Sequence, residues 1–196
     1  MTQRSIPKFF HYGGLALALF LLTVVSAGVP TRTSSVPGVS IKNFGKVNEH
    51  YYRGSQPRHE EVEQLKKLGI KTVIDLRKDS ERAEADWVRG AGLQYFNLLM
   101  KSSTAATEEQ TTHFLKLVND PANWPVYVHC KGGRHRTGAL TAVYRITHDG
   151  WTADQAFREM QEYDFDNGLF GGPGAQKKFV YAFYERHLAA SAGGQK

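Results

Sequence analysis

Apolar residues along this chain fall into short blocks with two different periods. The first block is an uncharged apolar run over 13–29, with Arg4 and Lys8 before it. Thr, Ser, Pro and Gly fill 30–38, a linker composition. The globular pattern begins near Val39. Tyr51-Tyr52-Arg53 predicts a short strand, ended by Gly54-Ser55-Gln56-Pro57. Val62, Leu65 and Leu68 share one face of a helix over 60–68 that Gly69 stops. A buried-type strand over 71–76 follows, then a helix over 80–90 with Ser80 as its cap. A strand over 93–98 leads to a helix over 107–118, where Thr107 and Gln110 have the spacing of a capping box. Val126-Tyr127-Val128 predicts a strand that runs straight into His129 and Cys130. Helices are expected over 137–148, from Thr152 onward, and from after Pro173 to about Leu188.

Strands that alternate with helices of about ten residues predict an α/β fold. The sheet should be mostly parallel, with helices on both faces and an N-terminal hydrophobic helix ahead of it. Ligands of such sheets bind beyond the C-terminal ends of the strands. Cys130 lies at such an end. The domain plan is 1–29 signal peptide or membrane anchor, 30–38 linker, 39–190 one domain and 191–196 tail.

The apolar run supports two readings. Basic residues ahead of it and Val25-Ser26-Ala27 before Gly28 suit a secretory signal. Left uncleaved, it is an anchor slightly shorter than the ~20 residues a bilayer usually requires. Either way the domain is expected at or beyond a membrane, because positive charge ahead of the run favours that orientation. In a bacterium that means the inner membrane or periplasm.

Of 196 residues, 41% are hydrophobic and 22% charged, which suits a globular chain rather than a disordered one. The formal net charge of +6 favours anionic partners. No long basic run or basic stripe with interleaved aromatics is present, so nucleic acid is not an expected partner. Cys130 is the single cysteine, which excludes an internal disulfide and multi-cysteine zinc clusters.

The run His129-Cys130-Lys131-Gly132-Gly133-Arg134-His135-Arg136-Thr137-Gly138 carries the chemistry. Gly132 and Gly133 let the backbone curl so that successive N–H groups converge on an anion. The following helix adds the positive end of its dipole. Beside that end and an arginine, a thiol is favoured as thiolate, so Cys130 is the candidate nucleophile. Arg136 can fold back to hold two phosphoryl oxygens. Lys131, Gly132, Gly133, Arg134, His135, Thr137 and Gly138 are the candidate phosphate-binding set. Thr137 can assist the departing thiolate, and His129 is expected to orient the loop through its ring nitrogens. Lys131 and Arg134 would form either a basic mouth for multiply charged substrates or a solvated rim.

This pattern resembles the signature of the tyrosine and dual-specificity phosphatase superfamily. Asn43-Phe44, Tyr52-Arg53-Gly54-Ser55-Gln56-Pro57 and Gly69-Ile70-Lys71-Thr72-Val73-Ile74-Asp75-Leu76-Arg77 extend the resemblance to compact atypical dual-specificity phosphatases of bacterial and plant-fungal type, over about residues 40 to 160. The resemblance implies a cysteinyl-phosphate mechanism without cofactor or metal, the nucleophile at Cys130 and the phosphate-binding arginine at Arg136. Substrates would be phosphotyrosine and by extension phosphoserine or phosphothreonine in proteins. Inositol phosphates, inositol pyrophosphates or phosphoinositides are the alternative, and a non-catalytic phosphate-binding module is a third reading.

One departure matters. Many relatives place a general-acid Asp about 30 residues before the cysteine. Here that loop, 99–107, holds no carboxylate. Glu108 or Glu109, or Asp164 or Asp166, would have to substitute, unless the leaving group needs no proton, as with a phosphoanhydride. Asp75 and Arg77 form a second pair. Asp75 is expected either to hold Arg136 or Arg77 in place or to form a structural ion pair below the site. Tyr163, Phe165 and Phe170 are expected to wall a pocket or pack in the core.

Overall fold

Two periods in one chain mean two kinds of buried surface, and strands and helices meet in a single mixed sheet. The computed structural model describes residues 36–80, 82–165 and 174–193. The predicted N-terminal helix and most of the linker, Asp166, Phe170 and the segment 171–173 lie outside them. No helix among the described residues is long and apolar enough to cross a membrane.

The strands are Gly45–Lys46 (β1), Tyr51–Ser55 (β2), Thr72–Arg77 (β3), Gln94–Met100 (β4) and Val126–Cys130 (β5). Their spatial order is β1-β2-β5-β3-β4. Four strands run parallel, and β1 alone is antiparallel to its neighbour β2. The two-residue β1 was not expected, since so short an edge strand carries no periodicity. Six α-helices are described: His59–Lys67 (α1), Arg82–Gly90 (α2), Glu108–Asn119 (α3), His135–His148 (α4), Ala153–Glu162 (α5) and Gly174–Gly193 (α6).

β5 is the central strand, and Val126, Tyr127 and Val128 have no exposed surface. A continuous apolar run is what a strand covered on both faces requires. Alternate residues then serve opposite faces. Tyr51, Ile74, Leu76, Val126, Val128 and Cys130 pack with Phe114 of α3 and Leu140 and Tyr144 of α4. Tyr52, Val73 and Tyr127 point the other way, to Val62 and Leu65 of α1 and Val88 of α2. A third cluster joins α4 to α5 and α6 through Ala142, Phe157, Met160 and Val180.

The helix starts follow local chemistry. Thr107 and Thr152 both form capping boxes, with Gln110 and Gln155 returning the bond. Ser80 directs its hydroxyl to Asn97 Oδ1 at 3.0 Å, tying the β3–α2 turn to β4. α4 begins at His135, two residues before the expected start, so Arg136 belongs to its first turn. α6 continues to Gly193, past Leu188 and into the expected tail. Ala189, Ala190 and Ala192 are strong helix formers and sustain it.

Candidate active site

The turn between β5 and α4 is held from outside, which decides where its donors point. Gln56 N–H donates to Lys131 O at 3.3 Å. Asn43 Nδ2 donates to Gly132 O at 2.9 Å. Arg53 Nη2 donates to Gly133 O at 2.7 Å. Three successive carbonyls are therefore drawn outward. Because the peptide unit is planar and trans, the N–H groups of Gly132, Gly133 and Arg134 turn to the opposite side, toward the cavity. Their convergence makes an anion-binding nest.

Gly133 has φ +67°, and a Cβ there would stand 2.5 Å from Gly54 C and 2.6 Å from Ser55 N. Only glycine lets the loop lie this close to β2. Gly132 is less constrained, since a Cβ there meets only the Arg134 side chain. Gly138 has a different duty from the expected one. Its N–H donates within the helix to Arg134 O at 3.0 Å, and a Cβ would press on Met160 Cγ at 3.3 Å. It therefore has no donor to offer a phosphate and serves the contact between α4 and α5.

Cys130 is buried at the end of β5. Burial pushes its thiol up, but the Thr137 hydroxyl and N–H, the Arg136 charge and the Gly133 N–H together bring it below the usual thiol range. Thr137 Oγ1 is itself buried and has no hydrogen-bond partner assigned among the described residues, which leaves its hydroxyl available to the sulfur. Arg136 is buried, with Nη1 donating to Met100 O at 3.0 Å and standing 3.6 Å from Asp79 Oδ1. Ser102, Lys131, Gly132, Arg134, His135 and Arg136 wall a cavity of about 300 Å³ around Cys130. Lys131 is exposed and Arg134 half-buried, so the rim is basic.

Asp75 does not hold Arg136, which lies across the sheet from it. Strand alternation puts Asp75, Arg77 and His129 on the α1/α2 face, opposite Cys130. There Arg77 donates to both Asp75 oxygens, Nε at 2.9 Å and Nη2 at 2.8 Å, and also pairs with Glu84. It reaches Gln56 Oε1 at 2.6 Å, the residue whose N–H bonds the loop. His129 does not orient the loop through its ring. Nε2 stands 2.8 Å from Glu84 Oε1, and Nδ1 is 3.9 Å from Asp75 Oδ1. Burial pushes the imidazole down, but the bond and charge of Glu84 and the charge of Asp75 bring it above its ordinary value. Asp75 balances in the same way. Burial raises it, while His129, Arg77 and Tyr95 hold the carboxyl below its ordinary range. The ligand atoms of Asp75, Glu84 and His129 lie within 4.8 Å of one another, a metal-like spacing. The Arg77 guanidinium bonds both acids, so the cation of this cluster is the arginine.

Asp164 is exposed, with φ +59°, and is not among the residues that wall the cavity. Its neighbours do reach the site's supports. Tyr163 lies under the Arg53 guanidinium at 3.9 Å, and Phe165 meets His135 edge-on at 5.3 Å. Glu108 faces a groove against Phe183 and Arg186 of α6, and Glu109 stands beside it in the first turn of α3. Sequence reasoning gave no individual role to Asn43, Arg53, Glu84, Ser102 or Asp79. The Asn43-Phe44 and Arg53-Gly54-Ser55 stretches were the available signal for the first two.

Residues 37–179 match a family model described as a DSP-PTPase phosphatase fused to NAD+ kinase. The chain is 32% identical over 123 residues to the dual specificity protein phosphatase TpbA of Pseudomonas aeruginosa, covering 63% of this chain and 55% of TpbA. It is 28% identical over 130 residues to the inositol diphosphatase SIW14 of Saccharomyces cerevisiae, covering 63% of this chain and 46% of SIW14. The matched region thus spans about half the length of these curated relatives. The crystal structure of the SIW14 core catalytic domain superposes with a TM-score of 0.65 at 22% identity, over 79% of this chain and 93% of that one, and shows the same fold.

Proposed function

Because the chain belongs to the DSP-PTPase phosphatase family, we propose that it hydrolyses phosphate monoesters through a cysteinyl-phosphate intermediate, with protein phosphotyrosine as the principal substrate. One observation carries this reading. A buried thiol, biased toward thiolate, stands beside a nest whose carbonyls are all pinned outward and beside a buried arginine. A bound phosphoryl group would sit on the N–H groups of residues 132–134, with Arg136 bridging two of its oxygens. Sγ of Cys130 attacks phosphorus and the P–O bond to the leaving group breaks. Water then attacks phosphorus, the S–P bond breaks, and orthophosphate leaves with Cys130 returned as thiolate. Pre-positioned charge is the main aid here, since charge in the transition state spreads over the phosphoryl oxygens.

The second reading is an inositol phosphate or diphosphate as substrate. Its support is the rim of Lys131 and Arg134 and the absence of a carboxylate in the loop 99–107. A phosphoanhydride leaves as phosphate and needs no proton.

The test is phosphate release by the purified chain from a phosphotyrosine peptide, an inositol polyphosphate and an inositol diphosphate. Release from the peptide supports the principal reading, and release confined to the inositol compounds supports the second. Cys130→Ser should abolish turnover and retain binding. Binding of a phosphate analogue without release from any of the three would identify a non-catalytic module and overturn both.

A further inference from the structure

Among the described residues no carboxylate walls the cavity above Cys130, yet one stands beside its arginine. Asp79 follows β3 in the turn toward α2, and its side chain is 72% exposed. Its Oδ1 lies 3.6 Å from Nη1 of Arg136. Lys78, Asp79, Lys101, Ser102 and Ser103 line a second, more open cleft of about 480 Å³. Ser102 is a wall of both clefts.

In-line displacement fixes where a leaving group must be. The sulfur attacks from the buried end, so the leaving oxygen lies on the opposite side of phosphorus, toward the mouth. Arg136 grips the phosphoryl oxygens between the two. A carboxyl group within 3.6 Å of that guanidinium and open to the mouth is placed for the outward oxygen. Glu108 faces the groove with α6.

We infer that Asp79 is the proton donor to the leaving group, an inference that rests on the hydrolase reading of Cys130. As the S–P bond forms and the P–O bond breaks, the Asp79 proton passes to the leaving phenolate or alkoxide. Asp79 is left as carboxylate. In the second step water attacks phosphorus, the S–P bond breaks, the cycle closes with Cys130 as thiolate and orthophosphate, and Asp79 regains its proton from solvent at the mouth.

The experiment compares Asp79→Asn with the unaltered chain on two aryl esters. A phosphotyrosine peptide expels a basic phenolate, and nitrophenyl phosphate expels a stabilised one. Asp79→Asn should lower kcat on the peptide by about 100-fold or more, the range of general acid catalysis. On nitrophenyl phosphate it should change kcat only slightly, and Asp79→Glu should recover part of the lost rate on the peptide. Equal losses on both esters would make Asp79 a holder of Arg136 alone and overturn the assignment. Unchanged rates on both would overturn it as well. If the unaltered chain releases phosphate from neither ester, the phosphotyrosine reading on which this inference rests falls, a failure visible before any variant is made.

Discussion

Gly133→Ala tests whether the cradle is held from outside by β2. The substitution adds one methyl group at a residue with φ +67°, which costs about 1–2 kcal/mol for an L side chain in the left-handed region. The methyl group would also stand 2.5 Å from Gly54 C and 2.6 Å from Gly54 O and Ser55 N. These are backbone atoms of a strand paired to β5 at Gly54 with His129 and at Ser55 with Cys130. They cannot retreat without breaking that pairing. Overpacking of this kind costs about 1–3 kcal/mol. Together the two terms give roughly 2–5 kcal/mol of lost stability. The alternative is that the loop moves, by about 1 Å, and a displacement of that size can cost on the order of 100-fold in rate. Gly132→Ala is the contrast, because its Cβ meets only the Arg134 side chain, at 3.2 Å. Urea unfolding and phosphate release should both place Gly133→Ala well below Gly132→Ala. Equal behaviour of the two variants, or a Gly133→Ala protein with unaltered stability and activity, would refute the reasoning.

Thr137→Val removes the buried hydroxyl whose available acceptor is the sulfur, so the thiol should rise. The pH profile of Cys130 alkylation should then shift to higher pH, with slower alkylation at neutral pH. Glu84→Gln leaves Arg77 and His129 with one buried anion fewer and should cost about 3–5 kcal/mol in urea unfolding. The sign with pH follows from the raised imidazole of His129. Its share of the stability is full below the unfolded value and is lost as pH rises through the folded one. The gap between the unaltered chain and Glu84→Gln should therefore narrow toward alkaline pH. It should not close, because Arg77 stays charged; a gap independent of pH would mean that His129 takes no part.

Much of the site could be read from order along the chain. Val126-Tyr127-Val128 announced a buried central strand because it must be apolar on both faces, and Cys130 followed at its C-terminal end. Gly132 and Gly133 announced a tight loop because no other residue curls that closely. Thr107 and Thr152 marked helix starts because capping is local chemistry. β1 was missed because two residues carry no period, and the early start of α4 because Arg134 offers no capping side chain.

Roles that depend on which face a side chain takes were out of reach. His129 and Cys130 are neighbours in the chain, yet strand alternation sends one to the Glu84–Arg77–Asp75 cluster and the other to the cavity. The same alternation turns Asp75 to Arg77 as a buried ion pair and away from Arg136, two of the readings sequence reasoning had left open. Arg53 and Asn43 precede the loop by 80 and 89 residues, and parallel pairing of β2 with β5 brings their segment beside it. Asp79 reaches Arg136 from a turn 57 residues away. The sequence alone singled out Cys130, Arg136 and the glycines as the candidate site, because their chemistry is set by local backbone and side-chain spacing. Which residues hold the loop open, and which carboxyl stands at its mouth, was decided by tertiary structure, because long-range strand pairing and the two faces of a sheet leave no mark on local spacing.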